Sequence, residues 1–285
     1  MMVPLQIDLK GKTAVVTGGG GVLCSAFAKA LAECGAKVAV LDLREEAAVE
    51  VAQQITSAGG TAMGISANVL EPESLANAEK KIREAYGPAD ILINGAGGNH
   101  PKGTTTKEYL YPEDIEEKGG NLVTFFDLDP KGVEFVFNLN FLGTLLASQS
   151  FAKGMVEKGK GTILNVSSMN AFTPLTKIPA YSGAKASVSN FTQWLAVHFS
   201  KVGIRVNAIA PGFFLTDQNR DLLKNKDGSW TERADKILRA TPMERFGEPE
   251  ELLGTLLYLM DDGASGFVNG TVIPVDGGFS AYSGV

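Results

Sequence analysis

The chain is short of several things. Its 285 residues include two cysteines, Cys24 and Cys34, and two histidines, His100 and His198. On one helix, ten residues put the cysteines about 15 Å apart along the axis, too far for a disulfide. A reduced, cytoplasmic protein is the expectation. Two histidines so distant in sequence argue against a histidine-based metal centre. Positive charge is also scarce: 26 Lys and Arg stand against 32 Asp and Glu, a net charge of −6. Nucleic acid calls for a basic face, so it is excluded as a partner. No apolar run approaches the ~18 residues of a membrane span, so no membrane association is expected. The opening "MMVPLQIDLKGK" has neither a long apolar core nor a small-residue cleavage site, so no signal peptide is expected.

What is present is a regular alternation. Apolar, β-branched runs stand at 13–18, 37–42, 61–66, 90–95, 161–167, 205–210 and 271–275. Amphipathic stretches lie between them at 22–34, 45–58, 72–86, 134–157, 181–202 and 249–260. The runs are continuous rather than alternating, as strands covered on both faces are. The expectation is one α/β domain, a Rossmann-type doubly wound parallel sheet of seven strands with helices on both faces. Residues 98–131 break the rhythm: polar, rich in Gly, Pro and Thr, and long for a connection. They follow strand four at the carboxyl edge of the sheet, where such folds bind ligands. Such a segment is either a functional lid or a tolerated surface insertion.

Gly18 to Gly21 join the first strand to the first helix. The free N–H groups of a first helical turn face whatever lies above, and glycine lets a pyrophosphate come close. Asp42 ends the second strand 24 residues after Gly18. A carboxylate there accepts both ribose hydroxyls of an adenosine and repels a 2′-phosphate, which favours NAD over NADP. Arg44, two residues on, either tempers that preference or is simply solvated. Further along, "SSMNAFTPLTKIPAYSGAK" sets Ser168 after strand five and Tyr181 and Lys185 at a helix start. The last two are i and i+4, one turn apart on one face. A tyrosine with its ordinary pKa of about 10 is a poor acid–base at neutral pH, and a neighbouring ammonium is expected to lower it. Ser168 would hold a carbonyl oxygen to which Tyr181 gives, or from which it takes, a proton.

Ser168, Tyr181 thirteen residues on, and Lys185 in "YSGAK" resemble the S…YxxxK signature of the short-chain dehydrogenase/reductase family. The likeness runs along almost the whole chain. "TGGGGVLC" stands where the family has TGxxxGxG, "NGAG" resembles NNAG, and "NFLGT" resembles NxxGT. "NVL" resembles the adenine contact after strand three, "PGFFLT" the PGxxxT segment, and "VDGG" the closing strand. The resemblance implies that Ser168, Tyr181, Lys185 and Asn140 are catalytic, with Asn140 anchoring a water in a proton relay and Lys185 also holding the nicotinamide ribose. It implies a cofactor, NAD(H) before NADP(H), along the turn Thr17, Gly18, Gly20, Gly21, Val22 and Leu23. Asp42 would take the ribose, Asn68 and Val69 the adenine side, and Asn94, Ala96 and Gly97 the exit of strand four. Pro211, Gly212, Phe214 and Thr216 would follow strand six, Thr216 near the nicotinamide carboxamide. Homotetramers through the helices at 134–157 and 181–202 are also implied; His198 is expected to be a packing or surface residue.

Two departures stand out. Val22 and Cys24 occupy positions where the family has glycine. Either Cys24 tucks between helix and sheet as a small hydrophobe, or its thiol, acidified by the helix start, senses redox state. The second departure is the 98–131 insertion. With "TGGGGVLCS" and the closing "GGFSAYSGV", it resembles the bacterial D-mannonate oxidoreductases (fructuronate reductases) within the family. That branch implies interconversion of D-fructuronate and D-mannonate. The alternatives are another polyol or keto-gluconate, as in gluconate 5-dehydrogenases, or a non-catalytic NAD-binding regulator. A sugar acid needs a carboxylate anchor and hydroxyl partners: Asn99, His100, Lys102, Asn170 and Arg220 are the candidates. Arg220 offers bidentate pairing and Lys102 a point charge, while Thr104, Thr105, Thr106, Gln218 and Asn219 add polar groups. A segment at about 212–245 would cap the substrate.

Overall fold

The computed structural model describes residues 7–116, 121–215 and 223–284. All seven expected strands form, within two residues of the expected ends: β1 (Thr13–Thr17), β2 (Lys37–Asp42), β3 (Thr61–Ser66), β4 (Ile91–Asn94), β5 (Gly161–Val166), β6 (Ile204–Pro211) and β7 (Val272–Val275). They pair in parallel in the order β3-β2-β1-β4-β5-β6-β7. The order switches direction between β1 and β4, so the carboxyl ends of those two strands open a crevice.

The helices are α1 (Val22–Glu33), α2 (Glu45–Ser57), α3 (Pro72–Tyr86), α4 (Glu113–Glu116), α5 (Pro130–Phe137), α6 (Gly143–Lys158), α7 (Pro179–His198), α8 (Glu232–Ala240), α9 (Leu253–Met260) and α10 (Asp262–Ser265). Phe27 and Leu31 of α1, Ile55 of α2 and Leu256 of α9 pack with Val16 and Val40 on one face of the sheet. Leu75 of α3, Phe151 of α6 and Leu195 of α7 pack with Val15 and Leu41 on the other. Adjacent residues of β1 thus feed opposite cores, which is why the strand reads as an unbroken apolar run.

Two helical features depart from the expected pattern. The stretch expected as one helix starts earlier, at Pro130, where Asp129 caps it by accepting from the Lys131 N–H. Between α5 and α6 it widens into a π turn, Asn138–Leu142. Helix α8 was not expected at all. Five of its nine residues are charged, and Ala234, Ile237 and Leu238, at i, i+3 and i+4, form a short apolar stripe that joins neither large core. They pack instead in a small separate cluster with Leu223 and Phe246.

The expected problem at the start of α1 resolves by an exchange of volumes. Cys24 is 5% exposed and packs under the exit of β4. A Cβ placed on Gly95 would lie 2.1 Å from the Cys24 sulfur. The thiol therefore fills space left open at 95, where the resembled NNAG motif carries asparagine. Gly95→Ala should cost about 1–3 kcal/mol by overpacking, read by urea denaturation. Cys24→Gly added to it should recover most of that loss; strictly additive losses would contradict the pairing.

Candidate active site

The glycine turn is built against Asp42. Gly18 has φ 64°, and a Cβ there would lie 2.8 Å from the Ala96 backbone, so only glycine fits. Asp42 accepts from the Gly20 N–H at 3.1 Å and from the Arg44 N–H at 3.0 Å. Arg44 turns its guanidinium to the same carboxylate, at 3.7 Å. The N-terminus of α1 beside it carries no side-chain cap, leaving its N–H groups for an anion.

The exit of β4 is clamped from both sides. The Thr17 hydroxyl accepts from the N–H groups of Gly95 and Ala96, at 3.1 and 3.3 Å. On the far side stands Asn140, fully buried within the π turn. Its amide donates to the carbonyls of Gly98 and Val136, at 2.7 and 2.8 Å, and its oxygen accepts from the Gly98 N–H. Val136 is one turn back, so the side chain serves a carbonyl beside the local widening of the helix. A chain of buried bonds then runs through Thr144 and Ser148 to Asn94, on to Asn165, and ends at Thr192 of α7.

Against this frame stand Ser168, Tyr181 and Lys185. Ser168 opens a 3₁₀ turn, Met169–Ala171, its Oγ accepting from the Asn170 N–H at 3.3 Å. Tyr181 lies in the first turn of α7, two residues after Pro179, where the Ser168 hydroxyl acts on its phenol. Lys185, 5% exposed, donates to the Val166 carbonyl at 2.7 Å and lies 5.7 Å from the centre of the Tyr181 ring. A Cβ on Gly97 would lie 2.6 Å from Asn140 Oδ1 and 3.2 Å from Lys185 Nζ. The bare backbone of Gly97 is what lets these groups converge.

The electrostatics differ from expectation. Burial raises the Tyr181 phenol above its ordinary 10, and the opposing influence is the Ser168 hydrogen bond rather than Lys185. Lys185 is itself pulled down from 10.5 to about 8 by burial. With both groups out of water, desolvation dominates each shift, and the ammonium is spent on Val166. Cys24 is corrected likewise: burial pushes its thiol up to about 12. That is the reverse of an acidified redox sensor, so packing is its role.

Several expected contact residues turn elsewhere. Thr17 and Asn94 direct their side chains into the strand clamp and the buried chain. Phe214 is buried against Gly247, where a Cβ would meet its ring at 2.6 Å. Val22 is half-buried at the first position of α1, and Leu23 packs at the edge of the core. Asn68 caps Leu70 and donates to Glu71, while Val69 packs over Gly143. Pro211 is buried at the end of β6, and the Gly212 N–H is held by Val275. In the insertion, Asn99 donates to Thr104, and His100 accepts from the Lys102 N–H with its ring 5.2 Å from Phe135. Lys102 pairs with Asp129 at 3.2 Å, so it is not the free point charge expected. Thr216, Gln218, Asn219 and Arg220 lie outside the described residues.

The buried lysine has a measurable consequence. Its proton is held less tightly folded, with a pKa of about 8, than unfolded at 10.5. In that window the unfolded chain binds more protons, so stability rises with pH. The penalty is fully present below pH 8 and is worth about 3 kcal/mol. Tyr181, raised above 10, acts in the opposite sense only beyond that pH. Urea denaturation at pH 8 and pH 10 should show a gain of about 2 kcal/mol. Lys185→Met should abolish most of it; an unchanged gain in the variant would contradict the assignment.

Comparison with known proteins agrees with this geometry. A family model described as short chain dehydrogenase matches residues 12–227. An uncharacterized oxidoreductase from Haemophilus influenzae is 59% identical over 285 residues, covering 100% of this chain and 99% of that one. A crystal structure of a candidate D-mannonate oxidoreductase from Haemophilus influenza with bound NAD is 58% identical, covers 100% of both chains and superposes with a TM-score of 0.93. A gluconate 5-dehydrogenase from Burkholderia cenocepacia, in complex with NADP and tartrate, is 27% identical with a TM-score of 0.82, covering 98% of this chain and 99% of that one. With a family match over three-quarters of its length and the serine, tyrosine and lysine gathered at the exits of β4 and β5, this chain belongs to the short-chain dehydrogenase family of oxidoreductases.

Proposed function

We propose that the protein is an NAD(H)-dependent oxidoreductase interconverting D-fructuronate and D-mannonate. The observation that carries the substrate is the full-length likeness to the candidate D-mannonate oxidoreductase with bound NAD. Asp42 supports the cofactor: it lies against the glycine turn, where it would accept ribose hydroxyls and repel a 2′-phosphate. Arg44, the nearby cation, is already turned to Asp42. The glycine turn at Gly18 to Gly21, packed tightly against Val40, Asp42 and Ala96, and the uncapped start of α1 beside it fit a pyrophosphate.

When bound, NAD supplies the group that accepts or returns hydride. The chain's own residues handle the oxygen and its proton. Ser168 holds the carbonyl oxygen through its hydroxyl. Tyr181, its phenol held above the ordinary 10 by burial, gives its proton to that oxygen in reduction and takes it back in oxidation. Lys185 faces the phenolate that reduction leaves and would hold the nicotinamide ribose. Asn140, its amide committed to Gly98 and Val136, acts as a positioning residue that keeps Gly97 beside Lys185. A second reading, reduction of a keto-gluconate, is favoured by the likeness to the gluconate 5-dehydrogenase.

The reading includes a homotetramer. On α7, Trp194 and Val197 are 56% and 76% exposed, Trp194 is stacked between Phe191 and His198, and Phe141 lies beside Phe191. Such an apolar stripe supports a buried subunit face. No helix among the described residues is long and apolar enough to cross a membrane. A cytoplasmic location belongs to the same reading.

The test is NADH oxidation by the purified protein with D-fructuronate beside 5-keto-D-gluconate, with NADPH in parallel. The expected outcome is faster turnover of D-fructuronate, with NADH preferred. Tyr181→Phe should lower kcat by about 10²-fold or more. Full activity in that variant would sink the mechanism, and faster reduction of 5-keto-D-gluconate would move the substrate to the second reading.

A further inference from the structure

Among the described residues, fifteen large apolar side chains stand exposed, and six of them lie in the insertion: Tyr109, Leu110, Tyr111, Ile115, Phe125 and Phe126, each 45–68% exposed. Single exposures scattered over a surface are ordinary, whereas a cluster marks a contact surface. None of the six belongs to a buried apolar group of this chain.

The segment that carries them is folded. The Thr106 N–H donates to the Val123 carbonyl and the Val123 N–H to the Thr106 hydroxyl, both at 3.0 Å, so the two halves of the insertion are tied together. Asp114 accepts from the Tyr111 N–H at 3.0 Å and pairs with Lys107. The Thr124 hydroxyl accepts from the Phe126 N–H, and the rings of Phe125 and Phe126 meet edge to face, their centres 5.5 Å apart. Side chains presented on an ordered backbone cost little further ordering when a partner binds.

The charges of the insertion are largely spent within the chain. Lys102 pairs with Asp129, Lys107 with Asp114 and Glu108 with Lys236. Glu113 and Glu116 stand exposed on α4 with Ile115, and an anionic membrane would repel them. An apolar protein surface fits the cluster better, and this molecule carries one. Phe135 of α5, 42% exposed, has its ring 5.2 Å from that of His100 in the insertion. Further along the same helical stretch, Phe141 meets Phe191 of the proposed subunit face on α7. Aromatic side chains therefore lead from that face to the insertion. The area points the same way. The six side chains expose on the order of 700 Å², close to the ~800 Å² that each partner gives to a stable interface.

We propose that the insertion is a subunit contact, its six apolar side chains covered by a second copy of this chain. The proposal rests on the homo-oligomer reading above and adds a surface that the α7 stripe does not supply. The Thr105 N–H donates to the Lys177 carbonyl at 2.9 Å, in the loop before Tyr181. A copy seated on the insertion thus also steadies that loop.

Sedimentation velocity over a dilution series is measured on the wild type, on Phe125→Ser/Phe126→Ser and on Trp194→Glu, with NADH binding by fluorescence as the check on folding. The expected result is a wild-type oligomer whose dissociation constant rises about tenfold or more in the serine variant, with NADH affinity kept within about threefold. Should that variant not fold, Tyr109→Ser/Leu110→Ser provides the same comparison. Unchanged assembly in a folded insertion variant overturns the proposal; if Trp194→Glu dissociates in the same series, the homo-oligomer reading stands without it. Unchanged assembly with a raised KM for D-fructuronate puts the aromatic cluster on the substrate side and overturns it as well. A monomeric wild type removes the homo-oligomer reading first and this proposal with it.

Discussion

The ammonium of Lys185 is held out of water where the end of β5, the first turns of α7 and the exit of β4 meet, and the site is arranged around the cost of that burial. Its compensation is local: the Val166 carbonyl at 2.7 Å and the bare backbone of Gly97 beside it. Gly97 is held there because Thr17 clamps the exit of β4 from one side and Asn140 from the other. Asn140 can do so because the helix widens around it, leaving its amide to serve Val136 and Gly98 together. A charge poorly solvated before reaction gains most when a partner charge forms beside it. In the proposed mechanism a phenolate at Tyr181 is such a partner, and the unfavourable burial of the free protein would become stabilisation during turnover.

Much of this was legible in the sequence. The strands were, because residues feeding two cores must be apolar at every position; "TAVVT" is buried throughout. The i, i+4 spacing of Tyr181 and Lys185 and the interval between Asp42 and Gly18 also told which side chains share a face or an edge. What pattern could not carry was the sign of a balance or a contact between distant positions. That Lys185 fails to lower the Tyr181 pKa depends on how far both are buried. That Cys24 is harmless depends on Gly95, 71 residues away. Lys102 is neutralised by Asp129 only because the insertion folds back onto the start of α5. The π turn left no sequence signal beyond the motif around Asn140.

The insertion is tied to the loop before Tyr181 and to α8. The Thr105 N–H donates to the Lys177 carbonyl, in the loop leading to Tyr181. Glu108 of the insertion accepts from Lys236 of α8 through both carboxylate oxygens. Gly103 packs against Ala180, the neighbour of Tyr181. Under the proposed function these contacts would make the insertion part of the wall on the substrate side. They are surface ion pairs and loop bonds, individually weak.

The most direct measurement is the titration of Lys185 itself, followed by the Cε resonance of ¹³C-labelled lysine in the free protein and assigned by its loss in Lys185→Met. The account predicts a midpoint of about 8, set by burial. A midpoint at the ordinary 10.5 would mean that the ammonium is solvated and that the site is not built around its burial.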